Sequence, residues 1–299
     1  MTTVAPTILT KGRPQTVDPT TRVALGLSWL LATAAIAASV ATLTVPDLLS
    51  GTPVMNGSAM GTALVVLVIA VPLLAITTRR AGAGSLRALV VATGITAYLL
   101  YNAVMFAFGT PFNEAFLLYV AMLGLALWTL AAMSLAVWAR TGRLAAEVPR
   151  WVTAYIWVVV ALNAAAWLAR VLPATFDDDP TAWLAGTGLT TNPVIVQDLA
   201  FWLPAMAWLG WGAWKSHAPA VALAAAGLVF WVVESLGVAV DQWWGHQAAP
   251  ASSWASANAV VMFAGMALVG LLPTLRLLHA VPTRDGLEEA ARTHGRGRS

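Results

Sequence analysis

Eight apolar runs bounded by polar or basic residues constrain this chain more than any other feature. They extend over approximately Val23–Val45, Met60–Thr78, Ala88–Phe108, Ala115–Ala139, Trp151–Val171, Val194–Trp214, Ala220–Val240 and Trp254–Leu275. A helix needs roughly 20 apolar residues to cross ~30 Å of hydrocarbon, and each run meets that length. The alternation of period two that marks a membrane β-barrel is absent. The expected fold is therefore an all-α membrane protein, a bundle of about eight transmembrane helices. A chain with 59% hydrophobic and only 10% charged residues departs from soluble domains in the same direction.

The basic residues orient this bundle. With the N-terminus in the cytoplasm, that side receives Lys11, Arg13, Arg22, Arg79, Arg80, Arg87, Arg140, Arg143, Arg150, Lys215, Arg276, Arg284, Arg292, Arg296 and Arg298, whereas the other side receives Arg170 alone. Basic residues accumulate on the cytoplasmic side of membrane proteins, so both termini are expected to be cytoplasmic. The organisation that follows is a polar N-terminal segment (1–22), an eight-span domain (23–275) and a basic tail (276–299) in which "GLEEAAR" reads as a helical turn. The first apolar run is too long for a signal-peptide core and no cleavage site follows it, so it reads as a retained span. Arg residues far outnumber the two Lys, and Ala, Val, Leu and Gly abound, which suggests a GC-rich bacterial genome and a plasma-membrane location. Because the basic residues are spread among loops rather than gathered on one face, nucleic acid is not an expected partner.

One stretch breaks the apolar pattern. "LVFWVVESLGVAVDQWW" places Glu234 inside a membrane-length run and follows it with Asp241, seven residues on. An ionisable side chain in hydrocarbon is costly and marks a candidate site. At 1.5 Å rise per residue, Glu234 falls roughly 9 Å below the outer end of its run, Asn102 roughly 9 Å, Asn163 roughly 12 Å, and Asp198 and Asn258 roughly 6 Å. These residues come from five spans and all fall in the outer half. Such a layer suits an outward-open polar cavity, because lipid offers amides and carboxyls no partner. Arg170, seven residues after Asn163, is the one basic residue on that side. Glu234 is accordingly expected to face the interior and pair with Arg170 or with an Asn of a neighbouring span.

Structural roles compete with this reading. In "TTNP", Asn192 reads as an N-cap and Pro193 as the first helical residue, which leaves Asp198 as an acid near a helix N-terminus. Thr110 is a candidate cap ahead of Glu114. Asn102, Asn163 and Asn258 suit interhelical hydrogen bonding. Pro204 removes a hydrogen bond to the Ala200 carbonyl and predicts a kink below Asp198. Trp138, Trp151, Trp214, Trp243, Trp244 and Trp254 fit interfacial belts, whereas Trp202, Trp208 and Trp211 are expected against neighbouring helices. The Asp177–Asp179 run reads as a solvated loop tip.

The chemistry excluded is extensive. There is no Cys, so disulfides and thiolate chemistry are absent. None of the four His falls in mid-membrane, which disfavours a haem held between helices. Lys215 sits at a helix end, where it cannot form a retinal Schiff base. Phosphate-binding, zinc-binding and nucleophile-elbow motifs are missing, and no cofactor or metal is expected. The stretches "YNAVMFAFGTPFNEAFLLYVAML" and "TGLTTNPVIVQDLAFWLP" resemble those of a family of bacterial multi-pass membrane proteins that has no assigned activity; the resemblance implies an eight-helix membrane protein and carries over no functional residue. The functional expectation is a transporter-like protein for a small solute or ion, proton-linked through Glu234. The alternatives are an accessory, sensory or assembly subunit and a carboxylate-based intramembrane enzyme. Expected partners are the lipid bilayer and a small solute or proton, with a protein partner or a second copy of the chain as the alternative.

Overall fold

The computed structural model describes residues 18–142 and 148–281. Lys11, Arg13, Arg143, Arg284, Arg292, Arg296, Arg298, the "GLEEAAR" turn and most of segments 1–22 and 276–299 lie outside the described residues.

Among the described residues eight helices are long and apolar enough to cross a membrane: α1 (Pro19–Thr44), α2 (Pro53–Gly82), α3 (Leu86–Gly109), α4 (Phe116–Thr141), α5 (Arg150–Thr175), α6 (Pro193–Trp214), α7 (Ala218–Ala248) and α8 (Ala257–Ala280). No strand occurs among the described residues. Short polar caps set several helix starts. Asp18 accepts from the Thr21 amide and hydroxyl ahead of Pro19. Burial pushes the Asp18 carboxyl up, but the two Thr21 bonds together with the Arg140 charge hold the group below the usual carboxylate range. Asn192 accepts from the Val194 and Ile195 amides, with Pro193 in the first turn, as the "TTNP" signature predicts. Thr110 does not cap the next helix; its hydroxyl turns back to the Phe106 carbonyl, and Asn113 Oδ1 takes the Ala115 amide instead.

Three features depart from what apolar length predicts. Helix α7 does not end near Val240 but runs 31 residues to Ala248. That is about 46 Å at 1.5 Å per residue, well beyond the hydrocarbon thickness, so Asp241, Trp243 and Trp244 are helical rather than part of a loop. Helix α2 likewise starts at Pro53 rather than Met60. The two extensions support each other, because Gly57 and Gly61 form a small-xxx-small pair that lets the backbones of α2 and α7 meet. A Cβ added at Gly57 would lie 2.6 Å from the Trp244 carbonyl oxygen, and one at Gly61 would lie 2.7 Å from Asp241 Cα. The third feature is a pair of π-helical turns, Val66–Ala70 in α2 and Asp198–Trp202 in α6, each ending two residues before a proline, Pro72 and Pro204. A proline cannot donate to the preceding turn and its ring crowds the carbonyl four residues back; widening that turn removes the conflict. The structure thus answers Pro204 with a π turn that begins at Asp198.

Helices α3 and α7 form the buried centre. α7 packs on α8, α2, α3 and α6, while α4 packs on α1 and α3. Gly94 brings α3 against the backbone of α7 at Ala226. α5 is the most peripheral helix, held mainly by α6. At the end of the bundle where α1 starts and α8 stops, basic residues tie the loops together: Arg87 donates to the Val281 and His279 carbonyls, Arg140 donates to the Gly84 carbonyl, and Arg150 lies over the Trp214 ring.

Candidate functional site

At the opposite end, α2, α3, α5, α6, α7 and α8 surround a cavity of about 1040 Å³. Glu234, Asp198, Asp241, Asn102, Asn163 and Arg170 all line it. Asn258 does not: it is exposed in the first turn of α8, which starts at Ala257 after a Ser256 cap rather than at Trp254.

Glu234 lies near the middle of α7 and faces the interior. Its Oε2 accepts a 3.0 Å hydrogen bond from Asn102 Nδ2, and the second hydrogen of that amide goes to the Tyr98 carbonyl at 3.0 Å. The Tyr98 carbonyl requires a donor, so it fixes which end of the Asn102 amide faces Glu234. Both Asn102 donors are consumed, and Glu234 Oε1 is left to the cavity. Asp198, at the start of the π turn in α6, has the same arrangement: the Trp167 indole N–H of α5 donates to Asp198 Oδ2 at 2.8 Å, and an indole is a donor only. The Tyr101 hydroxyl approaches the same carboxylate. Each acid therefore has one oxygen anchored by a neutral donor from another helix.

Arg170 does not pair with Glu234 or Asp198. Its guanidinium lies 5.9 Å from the centre of the Trp167 ring, exposed on the same helix; stacking on an aromatic face satisfies the cation without removing it from water. Asn163 donates to the carbonyl of Val159 in its own helix. Asp241 sits higher on the α7 stripe, where its Oδ1 meets Gln242 Nε2 at 3.4 Å; that same amide donates to the Trp254 carbonyl, and the Gln242 carbonyl accepts from the Ser256 amide. Gln242 thus joins α7 to the start of α8 at the rim. Trp254 donates to the Ala185 carbonyl at 2.9 Å, and Thr52 meets the Thr187 carbonyl at 3.5 Å, so the connections between helices cover this end.

Sequence length and charge do not indicate the rings that complete the site. Tyr101, Trp202 and Phe230 form one cluster on the cavity wall, with centroids 4.7 to 6.2 Å apart. Trp202 faces inward as expected and donates to Gln197 Oε1 at 3.2 Å, but Trp208 and Trp211 point outward and are more than half exposed. The available signal was spacing: Phe230 precedes Glu234 by four residues and Trp202 follows Asp198 by four, which places each ring about one turn from its acid. Tyr98 also escapes prediction. Its hydroxyl is fully buried without a hydrogen-bond partner and packs at Gly237, between Glu234 and Asp241 along α7.

The fold and this cavity define the class: a polytopic membrane protein with an acid- and aromatic-lined chamber towards one end of the bundle. No protein-family model, curated protein or solved structure matches the chain.

Proposed function

We propose that the chain is a transporter-like protein that takes up a small solute or ion into this cavity, with Glu234 as a proton-linked binding group. It would act in a bacterial plasma membrane with the cavity facing outward and both termini in the cytoplasm, the orientation that the bias of basic residues supports. The observation that carries the reading is the shared chamber of Glu234 and Asp198. Two carboxylates from different helices open into one largely apolar space, and each is held by a neutral donor rather than by a cation. A carboxylate in such surroundings is stabilised by acquiring a positive charge, either a proton or a cationic group of the solute. The two possibilities compete for one site, and that competition is the elementary basis of proton-coupled exchange.

The test is a thermal-unfolding screen of the purified protein against amines, amino acids, sugars and organic anions at pH 5.5 and pH 7.5. A ligand of the native state at 100 times its Kd adds about 2.7 kcal/mol to stability. The expected result is stabilisation by one solute class, weaker at the lower pH, with the pH dependence reduced in Glu234→Gln. Stabilisation by a protein partner and by no solute would end the transporter reading in favour of an accessory subunit.

A further inference from the structure

Resting on the reading of the cavity as a solute site, we infer that its ligand is a monovalent organic cation with an apolar body. The cationic group is held between Glu234, Asp198 and the Tyr101–Trp202–Phe230 rings, and the apolar body lies in the slot between α5 and α8.

Charge sets the sign. Three carboxylates, Glu234, Asp198 and Asp241, line the chamber against one guanidinium, and Arg170 stands exposed at the rim on the ring of Trp167. Below the rim, α3 contributes Tyr101 and Asn102, α5 contributes Asn163 and Trp167, and α8 contributes no charge. An anion placed there would meet acids on two sides, whereas a cation meets the second Glu234 oxygen and the Asp198 carboxylate.

The rings set the kind of cation. α7 rises towards the rim, so Phe230 lies below Glu234 by about 6 Å at 1.5 Å per residue, and Trp202, at the end of the π turn, packs on Phe230 while its indole reaches back to Gln197. Tyr101 adjoins Asn102 on α3. The three rings form one aromatic wall beside the two carboxylates. Aromatic faces attract alkylammonium groups but supply no ligand to a hard metal ion, which takes six or more oxygens when it is calcium-like. Among the described residues no group of three His, Cys, Asp or Glu side chains could hold a metal.

The walls set the body. Tyr155 and Gly270 bring α5 and α8 close at the bottom of the slot, where a Cβ on Gly270 would lie 3.4 Å from the Tyr155 hydroxyl. Above this point Val158 and Leu162 of α5 and Met262 and Val269 of α8 line the cavity, yet all four are more than half exposed. The chamber is open sideways here, along an apolar seam. Gly265 lies on the same wall with nothing within 4 Å of an added Cβ, so the seam has free width as well as an opening.

The experiment titrates the full-length protein in nanodiscs with four probes built on one benzyl group, benzyltrimethylammonium, its neutral carbon isostere neopentylbenzene, zwitterionic phenylalanine and anionic benzylsulfonate, and with tetramethylammonium as the cation without an apolar body. Protein-free nanodiscs supply the partitioning blank. The expected order puts the cation first, by about tenfold or more over the isostere. Glu234→Gln and Asp198→Asn each weaken the cation and leave the isostere unchanged. Gly265→Leu, whose Cβ meets nothing within 4 Å, weakens benzyltrimethylammonium while sparing tetramethylammonium. Equal or tighter binding of the isostere, phenylalanine or benzylsulfonate overturns the assignment of a cation but leaves a solute cavity standing. No binding by any of the four overturns the assignment, and failure of the broad solute screen as well removes the cavity reading beneath it.

Discussion

Asn102 bonds the Tyr98 carbonyl and Glu234 with a single amide nitrogen, so its replacement is felt chiefly at the carboxylate. Asn102→Ala leaves the Glu234 carboxylate oxygen without its donor, while the Tyr98 carbonyl keeps the helical backbone amide of residue 102, and the expected loss is about 1–3 kcal/mol in chemical or thermal unfolding. A double-mutant cycle with Glu234→Ala should show coupling of at least 0.5 kcal/mol, by the usual range for groups in contact; strict additivity would mean that the bond carries nothing. Tyr98 predicts the opposite sign. Its hydroxyl is buried without a partner, so Tyr98→Phe removes an unsatisfied group and keeps the ring against Gly237. The variant is expected to match the parent or exceed it by about 1 kcal/mol, and a clear loss of stability would reveal a partner for that hydroxyl. Of these residues only the acids and amides are legible in the sequence, because their cost in hydrocarbon sets them apart. Tyr98, Tyr101 and Phe230 are compatible with any face of a membrane helix, and nothing local states which way they turn.

Apolar length is a local property, so the eight helices were readable from composition alone, whereas their ends were not. α2 and α7 outrun their apolar runs because each supplies the other with a contact surface at Gly57, Gly61 and Gly245. That information is divided between segments almost 200 residues apart. Gly61→Val drives a branched side chain into the Asp241 backbone and should cost about 1–3 kcal/mol, with displacement of Asp241 from the rim. Gly124, which has nothing within 4 Å of an added Cβ, is the control, and Gly124→Ala should leave unfolding unchanged or slightly improved. The π turns were legible only as prolines: Pro204 announces a disturbed turn, but whether the helix kinks or widens depends on what surrounds it. Widening changes the rotation of Asp198 relative to the rest of α6, so Pro204→Ala, which permits an ordinary α turn, should preserve or raise stability and weaken benzyltrimethylammonium binding. Undiminished binding would show that the π turn does not aim Asp198.

Over the whole molecule, the basic residues that predict orientation also have structural work. Arg87, Arg140 and Arg150 bind carbonyls and a ring at the end where α1 starts and α8 stops, while Glu234, Asp198 and Asp241 line the chamber at the other end. This separation follows from the energetics of each end. Guanidinium groups remain wet at a helix terminus and satisfy the carbonyls that close the loops, whereas carboxylates inside the bundle need fixed neutral donors, which Asn102 and Trp167 provide from neighbouring helices. Charge counting captures the polarity of the molecule but not these contacts, because each depends on how two helices are rotated towards each other. The orientation itself is open to a direct measurement, and the chain's lack of Cys makes it clean. Asp178 is exposed in the connection between α5 and α6, and Lys215 is exposed in the turn between α6 and α7; a single helix separates them, so they must lie on opposite sides of a membrane that the bundle spans. Asp178→Cys is expected to react with a membrane-impermeant maleimide in intact cells, and Lys215→Cys only after the cells are opened. The reverse pattern would invert the bundle, put the chamber on the cytoplasmic side and turn uptake into export. Labelling of both positions from one side would contradict the crossing of α6 and with it the eight-helix arrangement that builds the site.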